Sequence, residues 1–133
     1  MREILFRGKR TDNGEWVEGY CYKAKYCRTD DELRDYITIP HLNEYNVPSS
    51  NYVVDSSTVG QYAGLKDKNG TKIFEGDIIL LRGDEEPYQV VFDESCFHVY
   101  DISVCYVMNN FYDYEIEVIG NIYDNPELLG GNG

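Results

Sequence analysis

Residues 59–81 read VGQYAGLKDKNGTKIFEGDIILL, and this stretch decides the fold class that the sequence predicts. Apolar and aromatic residues lead into a polar turn that ends in Asn69 and Gly70, a pair that tolerates the positive φ of a tight hairpin. Ile73 and Phe74 belong to the return strand, and residues 75–77 predict a sharp bend before an apolar strand. The stretch therefore predicts antiparallel strands joined by tight turns.

The N-terminal region shows the same pattern. Ile4 and Phe6 alternate with polar neighbours, residues 11–14 supply a turn that ends in Asn-Gly, and residues 16–22 return as an aromatic strand. A first hairpin is therefore predicted here.

The next segment carries a helix signal. Thr29 and Glu32 have the spacing of a capping box, which predicts a short helix over 30–36. Pro40 follows closely, so we expect the region up to Ser50 to be an excursion from the core.

Strand patterns return at Tyr52 and continue through the second half of the chain. We predict strands over 78–81, 88–92, 100–108 and 116–122, and one helical turn over 125–129. Five short strands joined by turns favour a mainly β fold, a small curved antiparallel barrel of the SH3-like kind. We expect a single domain over 1–133, or two intertwined lobes over 1–58 and 59–129, with 130–133 as a disordered tail.

Charge is the extreme property of this composition. The chain has 24 acidic and 12 basic residues, a formal net charge of -12. Residues 83–133 contain eleven acidic residues and neither Lys nor Arg. Because nucleic-acid binding needs cations that displace counterions, we expect no direct nucleic-acid partner.

Motifs for metals, cofactors and catalysis are missing from the sequence. The four cysteines lack Cys-x-x-Cys spacing, the two histidines are not clustered, and there is neither a phosphate-binding glycine loop nor a nucleophile elbow. We therefore expect no cofactor, no metal and no catalytic residue, and we predict that the protein is not an enzyme. The chain shows no signal-peptide pattern and no membrane span, so we expect it in the cytoplasm.

Three stretches, residues 2–20, 59–78 and 118–129, resemble the YopX family, which is associated with phages and prophages. The resemblance implies a phage or prophage origin, a bacterial host cell, and a β-rich protein that self-associates. It supplies no catalytic residue.

Some polar and aromatic residues of the central stretch are not obviously needed for folding. Glu75 and Asp77 are two positions apart and could share a face, but Gly76 indicates a bend between them, and a hard cation needs more oxygen ligands than two carboxylates supply. For every candidate residue of this stretch, capping a turn or setting a hairpin register is the explanation that competes with a role in interaction. The candidate interaction residues are Gln61, Tyr62, Lys66, Asp67, Glu75 and Asp77.

Three classes of function are compatible with these observations. The first is an oligomeric protein-interaction module, acting on itself and on an unknown phage or host protein, and the thirteen tyrosines suit such a surface. The second is an acidic inhibitor that imitates nucleic acid, and the third is an unrecognised enzyme.

The mimic hypothesis makes its own prediction. Binding to a basic partner should be salt-sensitive and should disappear when five of the acids of 83–133 are neutralised together. Binding that survives, measured by titration calorimetry, would reject the mimic. The acids to replace are Asp84, Glu85, Glu86, Glu115 and Glu117.

Overall fold

The computed structural model describes residues 5–25, 32–39, 50–83, 86–93, 96–100, 105–107 and 112–129. Eleven β-strands dominate these ranges, and the mainly β, antiparallel class is confirmed. The strands are β1 Phe6–Lys9, β2 Trp16–Lys25, β3 Leu33–Ile39, β4 Ser50–Val54, β5 Gly60–Lys66, β6 Lys72–Phe74, β7 Asp77–Leu81, β8 Tyr88–Asp93, β9 Cys96–Tyr100, β10 Cys105–Val107 and β11 Ile116–Asn121. Short 3₁₀ turns lie at Ser56–Thr58, Asp113–Glu115 and Pro126–Leu129.

The strands form two antiparallel sheets, with the orders β4-β3-β2-β1-β5-β6 and β10-β9-β8-β7-β11. Within the described residues these sheets are open, so the expected closed barrel is replaced by two sheets with free edges. The chain divides into two compact units, one reaching to Gln61 and one starting at Tyr62. We call them the N-terminal and the C-terminal unit.

The predicted first hairpin is confirmed. Strands β1 and β2 pair antiparallel, with Phe6 opposite Gly19 and Lys9 opposite Trp16. In the turn, Gly14 has a φ of 74°, which a glycine adopts without strain. The Asn13 side chain accepts a hydrogen bond of 2.9 Å from the Glu15 amide and fixes the reversal.

The predicted helix over 30–36 is wrong where the structure describes it, because Leu33–Ile39 forms strand β3. This strand pairs with β2 on one side and β4 on the other, and Ile37 is fully buried. Alternating aromatic and β-branched residues over 36–39 favour a strand, and pairing on both sides outweighs the capping signal. Residues 33–39 are therefore a strand of the sheet and not an excursion, while 29–31 and 40–49 lie outside the described residues.

Glycines allow the sheet of the N-terminal unit to coil tightly. A Cβ on Gly8 would lie 3.1 Å from the Val54 Cβ and 3.3 Å from the Ile37 Cδ1. The coiling brings β4 to the end of β1, where Arg10 forms a bridge with Val54. The Asp55 amide there donates a 2.8 Å hydrogen bond to the Lys9 carbonyl. One face of this sheet thereby becomes an interior around Ile37 and Val54.

The C-terminal unit has its own apolar core, formed by the inward side chains of its strands. The strand predicted over 88–92 is present as β8, where Tyr88 and Val90 are buried on one face and Phe92 at the end of that face is 41 % exposed. The core residues are Ala63, Ile73, Ile79, Leu81, Tyr88, Val90, Phe97, Val99 and Ile116.

The single strand predicted over 100–108 is wrong. Strand β9 ends at Tyr100, and β10 begins at Cys105 and runs antiparallel to it, with these two residues paired. Residues paired across an antiparallel ladder share a face, and the pair Tyr100–Cys105 joins an even to an odd position, so one unbroken alternation over 100–108 cannot hold. Residues 101–104 lie outside the described residues.

The end of the chain follows the prediction. Strand β11 and the 3₁₀ turn at Pro126–Leu129 are both present, and the predicted tail over 130–133 lies outside the described residues. None of the helical segments in the described part of the chain has the length and hydrophobicity needed to span a bilayer.

Gly19 provides a test of the coiled sheet. A Cβ at this position would press into the backbone carbonyl of Thr38 and lie 3.0 Å from the Ile37 Cγ2. We expect Gly19→Ala to lower the free energy of unfolding by about 1–3 kcal/mol, measured by urea denaturation, because backbone atoms must move. Lys25 on the same strand is exposed, so Lys25→Ala should change the free energy of unfolding by less than about 0.5 kcal/mol. Equal effects of the two substitutions would contradict the close approach.

Candidate functional site

The structure distributes the six candidate residues between core, turns and surface. Gln61 is half-buried at the start of β5, opposite Phe6. Tyr62 is only 7 % exposed, and its ring centroid lies 5.5 Å from that of Phe74. The aromatic ring of Tyr62 is therefore a core element of the C-terminal unit.

Asp67 is a buried carboxylate that connects two parts of the C-terminal unit. Its Oδ1 accepts hydrogen bonds of 2.9 Å from the amides of Asn69 and Thr71 in the hairpin turn. Its Oδ2 accepts a hydrogen bond of 2.9 Å from the Val118 amide in β11. The Lys68 amide adds a 3.0 Å bond to the Ile116 carbonyl. This aspartate holds the hairpin turn against the final strand.

The surroundings of Asp67 favour its ionised form. Burial alone would raise the pKa of Asp67, but the three backbone N–H donors and the nearby Lys68 outweigh it, and the pKa is lowered from its usual value. A carboxylate with a lowered pKa and both oxygens occupied is a poor proton acceptor. Its role is structural.

Of the remaining candidates, Asp77 fixes a turn. Asp77 is 1 % exposed, and its Oδ2 accepts a 2.8 Å hydrogen bond from the Phe74 amide across the predicted bend. Gly76 in this bend has a φ of 95°, and its carbonyl accepts a 2.9 Å bond from the Ile122 amide. Lys66 is exposed and lies opposite Lys72, and Glu75 is half-buried. These contacts agree with the turn-capping explanation.

Metal-binding clusters are missing from the described part of the chain. No group of three or more His, Cys, Asp or Glu side chains within it could hold a metal ion. Burial raises the pKa of the Cys21 thiol, assisted by Asp35, so the thiol form is favoured over the reactive thiolate.

The strongest surface feature was missed by the sequence reading and lies on the N-terminal unit. Side chains at alternate positions of β2 share the outer face of the sheet, and Tyr36 of β3 joins them because it lies opposite Tyr22. Tyr20 is 51 % exposed and Tyr22 is 39 % exposed. We call this surface the tyrosine face and define it as Trp16, Tyr20, Tyr22 and Tyr36.

Two rings of the tyrosine face, Tyr22 and Tyr36, are held in place by a stack and a hydrogen bond. The centroids of Tyr22 and Tyr36 are 5.2 Å apart, with 10° between the ring planes. The Tyr22 hydroxyl donates a 2.9 Å hydrogen bond to the Asn51 Oδ1. Burial and, to a smaller extent, the neighbouring Tyr36 raise the pKa of Tyr22. The hydroxyl therefore stays protonated and can donate the hydrogen bond. The stack is an ordered, partly exposed apolar surface.

Cations border this surface at Trp16. The Arg7 guanidinium carbon lies 4.7 Å from the Trp16 ring centroid, and the Lys9 Nζ lies 5.5 Å from it. Both distances are within the range of cation–π attraction. The tyrosine face therefore combines aromatic rings with positive charge.

A second group of exposed aromatic side chains lies in the C-terminal unit. Tyr112 and Tyr114 are 66 % and 56 % exposed, and their ring centroids are 5.5 Å apart with 5° between the planes. Asp113 and Glu115 alternate with them and accept backbone hydrogen bonds of 2.8 Å and 3.0 Å. We call Tyr112 and Tyr114 the tyrosine pair.

A shallow depression of about 350 Å³ adjoins the tyrosine pair, lined in part by Leu80, Arg82 and Tyr114. Lys68 and Glu117 line it too and form an ion pair of 3.5 Å.

These features define a class: a mainly β protein with two antiparallel sheets, turns fixed by buried carboxylates, and aromatic side chains presented on its surface. The model of the family described as YopX protein matches residues 5–130, so the chain belongs to the YopX family, as its motifs indicated. The crystal structure of protein EF1440 from Enterococcus faecalis shares the fold, with a TM-score of 0.58 and 22 % identity over 97 % of this chain and 99 % of that one. No curated protein matches the chain.

Asp67 gives a test of the carboxylate that connects turn and strand. In Asp67→Asn a single carbonyl oxygen cannot accept all three bonds, and the amide NH₂ must face an N–H donor. We expect a loss of about 1–3 kcal/mol in the free energy of unfolding at neutral pH, from urea denaturation. Glu75→Gln, on a half-buried acid of the same unit, is the matched control and should change it little.

The same pair of variants has a defined pH dependence. Because the pKa of Asp67 is lowered in the folded state from the usual 3.8, its ionised form stabilises the fold above that value. The difference between wild type and Asp67→Asn should stay constant near neutrality and narrow as the pH falls through the folded-state pKa. A difference that widens in acid would contradict the role of the carboxylate.

Proposed function

We propose that this protein is a phage- or prophage-encoded accessory protein that acts in the cytoplasm of the bacterial host as a protein-interaction module. In this proposal it self-associates through the tyrosine face. The observation that carries it is the exposed, ordered stack of Tyr22 on Tyr36 beside Tyr20. The phage context rests on the resemblance of its sequence motifs to a phage-associated family.

The physical argument begins with the cost of ordering an interface. Fixing a mobile side chain on binding costs about 0.5–1.5 kcal/mol. Tyr22 is already held by the ring of Tyr36 and by its hydrogen bond to Asn51, so much of this cost is absent. A tyrosine also removes a large apolar body from water while its hydroxyl keeps a partner. Such residues supply much of the energy at protein interfaces.

Charge supports the choice of the N-terminal unit for association. Residues 1–61 contain eight Lys or Arg and ten Asp or Glu, whereas residues 62–133 contain four and fourteen. Two copies that meet through their more neutral part avoid most of the repulsion expected at a net charge of -12.

The mimic and the unrecognised enzyme stay predictions. Glu117, one of the acids of the mimic, is paired with Lys68, and Glu86 is exposed. Asp84 and Glu85 lie outside the described residues. The aromatic surface offers the more specific physical basis, so the interaction module is the function we put forward.

The self-association is tested by replacing the two most exposed rings of the face. We expect Tyr20→Ser combined with Tyr22→Ser to raise the dissociation constant of the oligomer at least about tenfold, because anchor aromatics are removed. Sedimentation velocity over a concentration series measures the constant.

Leu33→Ser is the matched control, because Leu33 is 59 % exposed and lies opposite Lys25, on the other face of the same sheet. It should leave the constant unchanged. A wild-type monomer, or a tyrosine variant that associates as the wild type does, would reject the proposal.

A further inference from the structure

Exposed aromatic residues occur in both units, but they are surrounded by different charges. The tyrosine face lies beside cations, and the tyrosine pair alternates with acids. This contrast bears on which surfaces meet when two copies associate.

The charged side chains on the outer face of the N-terminal sheet are mostly positive. Arg7 lies opposite Glu18 and Lys9 lies opposite Trp16, which places all of them on this face. Arg34 belongs to the same face, two positions before Tyr36, and lies 3.9 Å from the exposed Glu32. Within the described strands β1–β3, the cations that face outward are Arg7, Lys9 and Arg34, and the acid is Glu18.

The tyrosine pair has the opposite character. Asp113 lies between its two rings in sequence, and Glu115 follows. Both carboxylates accept hydrogen bonds from backbone amides, 2.8 Å for Asp113 and 3.0 Å for Glu115. Lys68 is engaged with Glu117 on the adjoining strand. The pair also belongs to the part of the chain that carries fourteen of the 24 acidic residues.

We propose that the tyrosine face of one copy binds the tyrosine pair of a second copy. This inference rests on the proposed function, which states only that the tyrosine face mediates self-association. It adds the identity of the partner surface: Tyr112 and Tyr114 with the carboxylates of Asp113 and Glu115. The contact is heterologous, because two different surfaces meet.

Electrostatics favours this contact over the symmetric alternatives. In a contact between two tyrosine faces, the cations Arg7, Lys9 and Arg34 would approach their own copies. In a contact between two tyrosine pairs, the acids would approach each other. The heterologous contact brings opposite charges together while rings pack on rings, and like charges across an interface oppose the wrong pairings.

A heterologous contact has a consequence for assembly. Each copy uses one surface of each kind, so copies add head to tail until a ring closes or a filament grows. A symmetric contact through one surface would instead stop at a dimer. The two modes can therefore be separated by combining variants.

The experiment mixes two variants, each of which lacks one surface. The first carries Tyr20→Ser and Tyr22→Ser and keeps the tyrosine pair. The second carries Tyr112→Ser and Tyr114→Ser and keeps the tyrosine face. Each variant alone should be monomeric in sedimentation velocity, since association needs both surfaces. An equimolar mixture should form a complex of two chains, with one of each kind, because one surface of each type remains. High salt should weaken that complex.

The outcomes distinguish this inference from the proposal on which it rests. If the second variant alone assembles as the wild type does, the partner surface is wrong while the tyrosine face remains an interface. Two monomeric variants that stay monomeric after mixing would equally overturn the heterologous contact. If the first variant assembles as the wild type does, both proposals fail. The circular dichroism spectrum and the thermal midpoint of each variant should match those of the wild type. If a double variant does not fold, its two Tyr→Ser substitutions are tested one at a time.

Discussion

The carboxylate of Asp67 connects a hairpin turn to a strand 51 residues further along the chain, and the C-terminal unit depends on it. Its oxygens accept three backbone N–H groups that would otherwise be buried without acceptors. A neutral side chain of the same size cannot replace it, because an amide offers only one accepting oxygen. Asp77 does the same on a smaller scale at the bend before β7, where its carboxylate accepts from the Phe74 amide. Buried acids thus fix the geometry of the turns.

This constraint gives the buried carboxylates of the central motif a structural role. A carboxylate whose oxygens are engaged by amides has little capacity left for a proton or a metal ion. The exposed aromatic residues of the N-terminal unit, Tyr20 and Tyr22, lie instead on the outer face of a strand. In the N-terminal unit, small residues turned inward permit the coiling, and Gly8 and Gly19 provide the room. The same alternation turns the large side chains of β2 outward. The tight coiling and the exposed aromatic surface therefore come from opposite faces of the same strand.

Much of this fold could be predicted from local sequence, because Asn-Gly turns and alternating apolar residues act over few positions. Both hairpins and the bend at Gly76 were predictable for this reason. The helix prediction over 30–36 failed because strand pairing determines the secondary structure there. The capping signal at Thr29 gave no hint that β3 would be paired on both sides. That error also hid the tyrosine face, since Tyr36 on a helix would not lie opposite Tyr22. The bonds of Asp67 were equally unpredictable, as they join positions with no local relation.

The distribution of charge gives the two units different physical roles. A surface dense in acids keeps copies apart at long range, whereas rings act only on contact. A protein built from a nearly neutral unit and an acidic unit can therefore associate only through particular approaches. Cations beside Trp16 and acids beside Tyr112 make one approach attractive among many that are repulsive. In the contact that we propose, the excess of acid selects the orientation in which the aromatic surfaces meet.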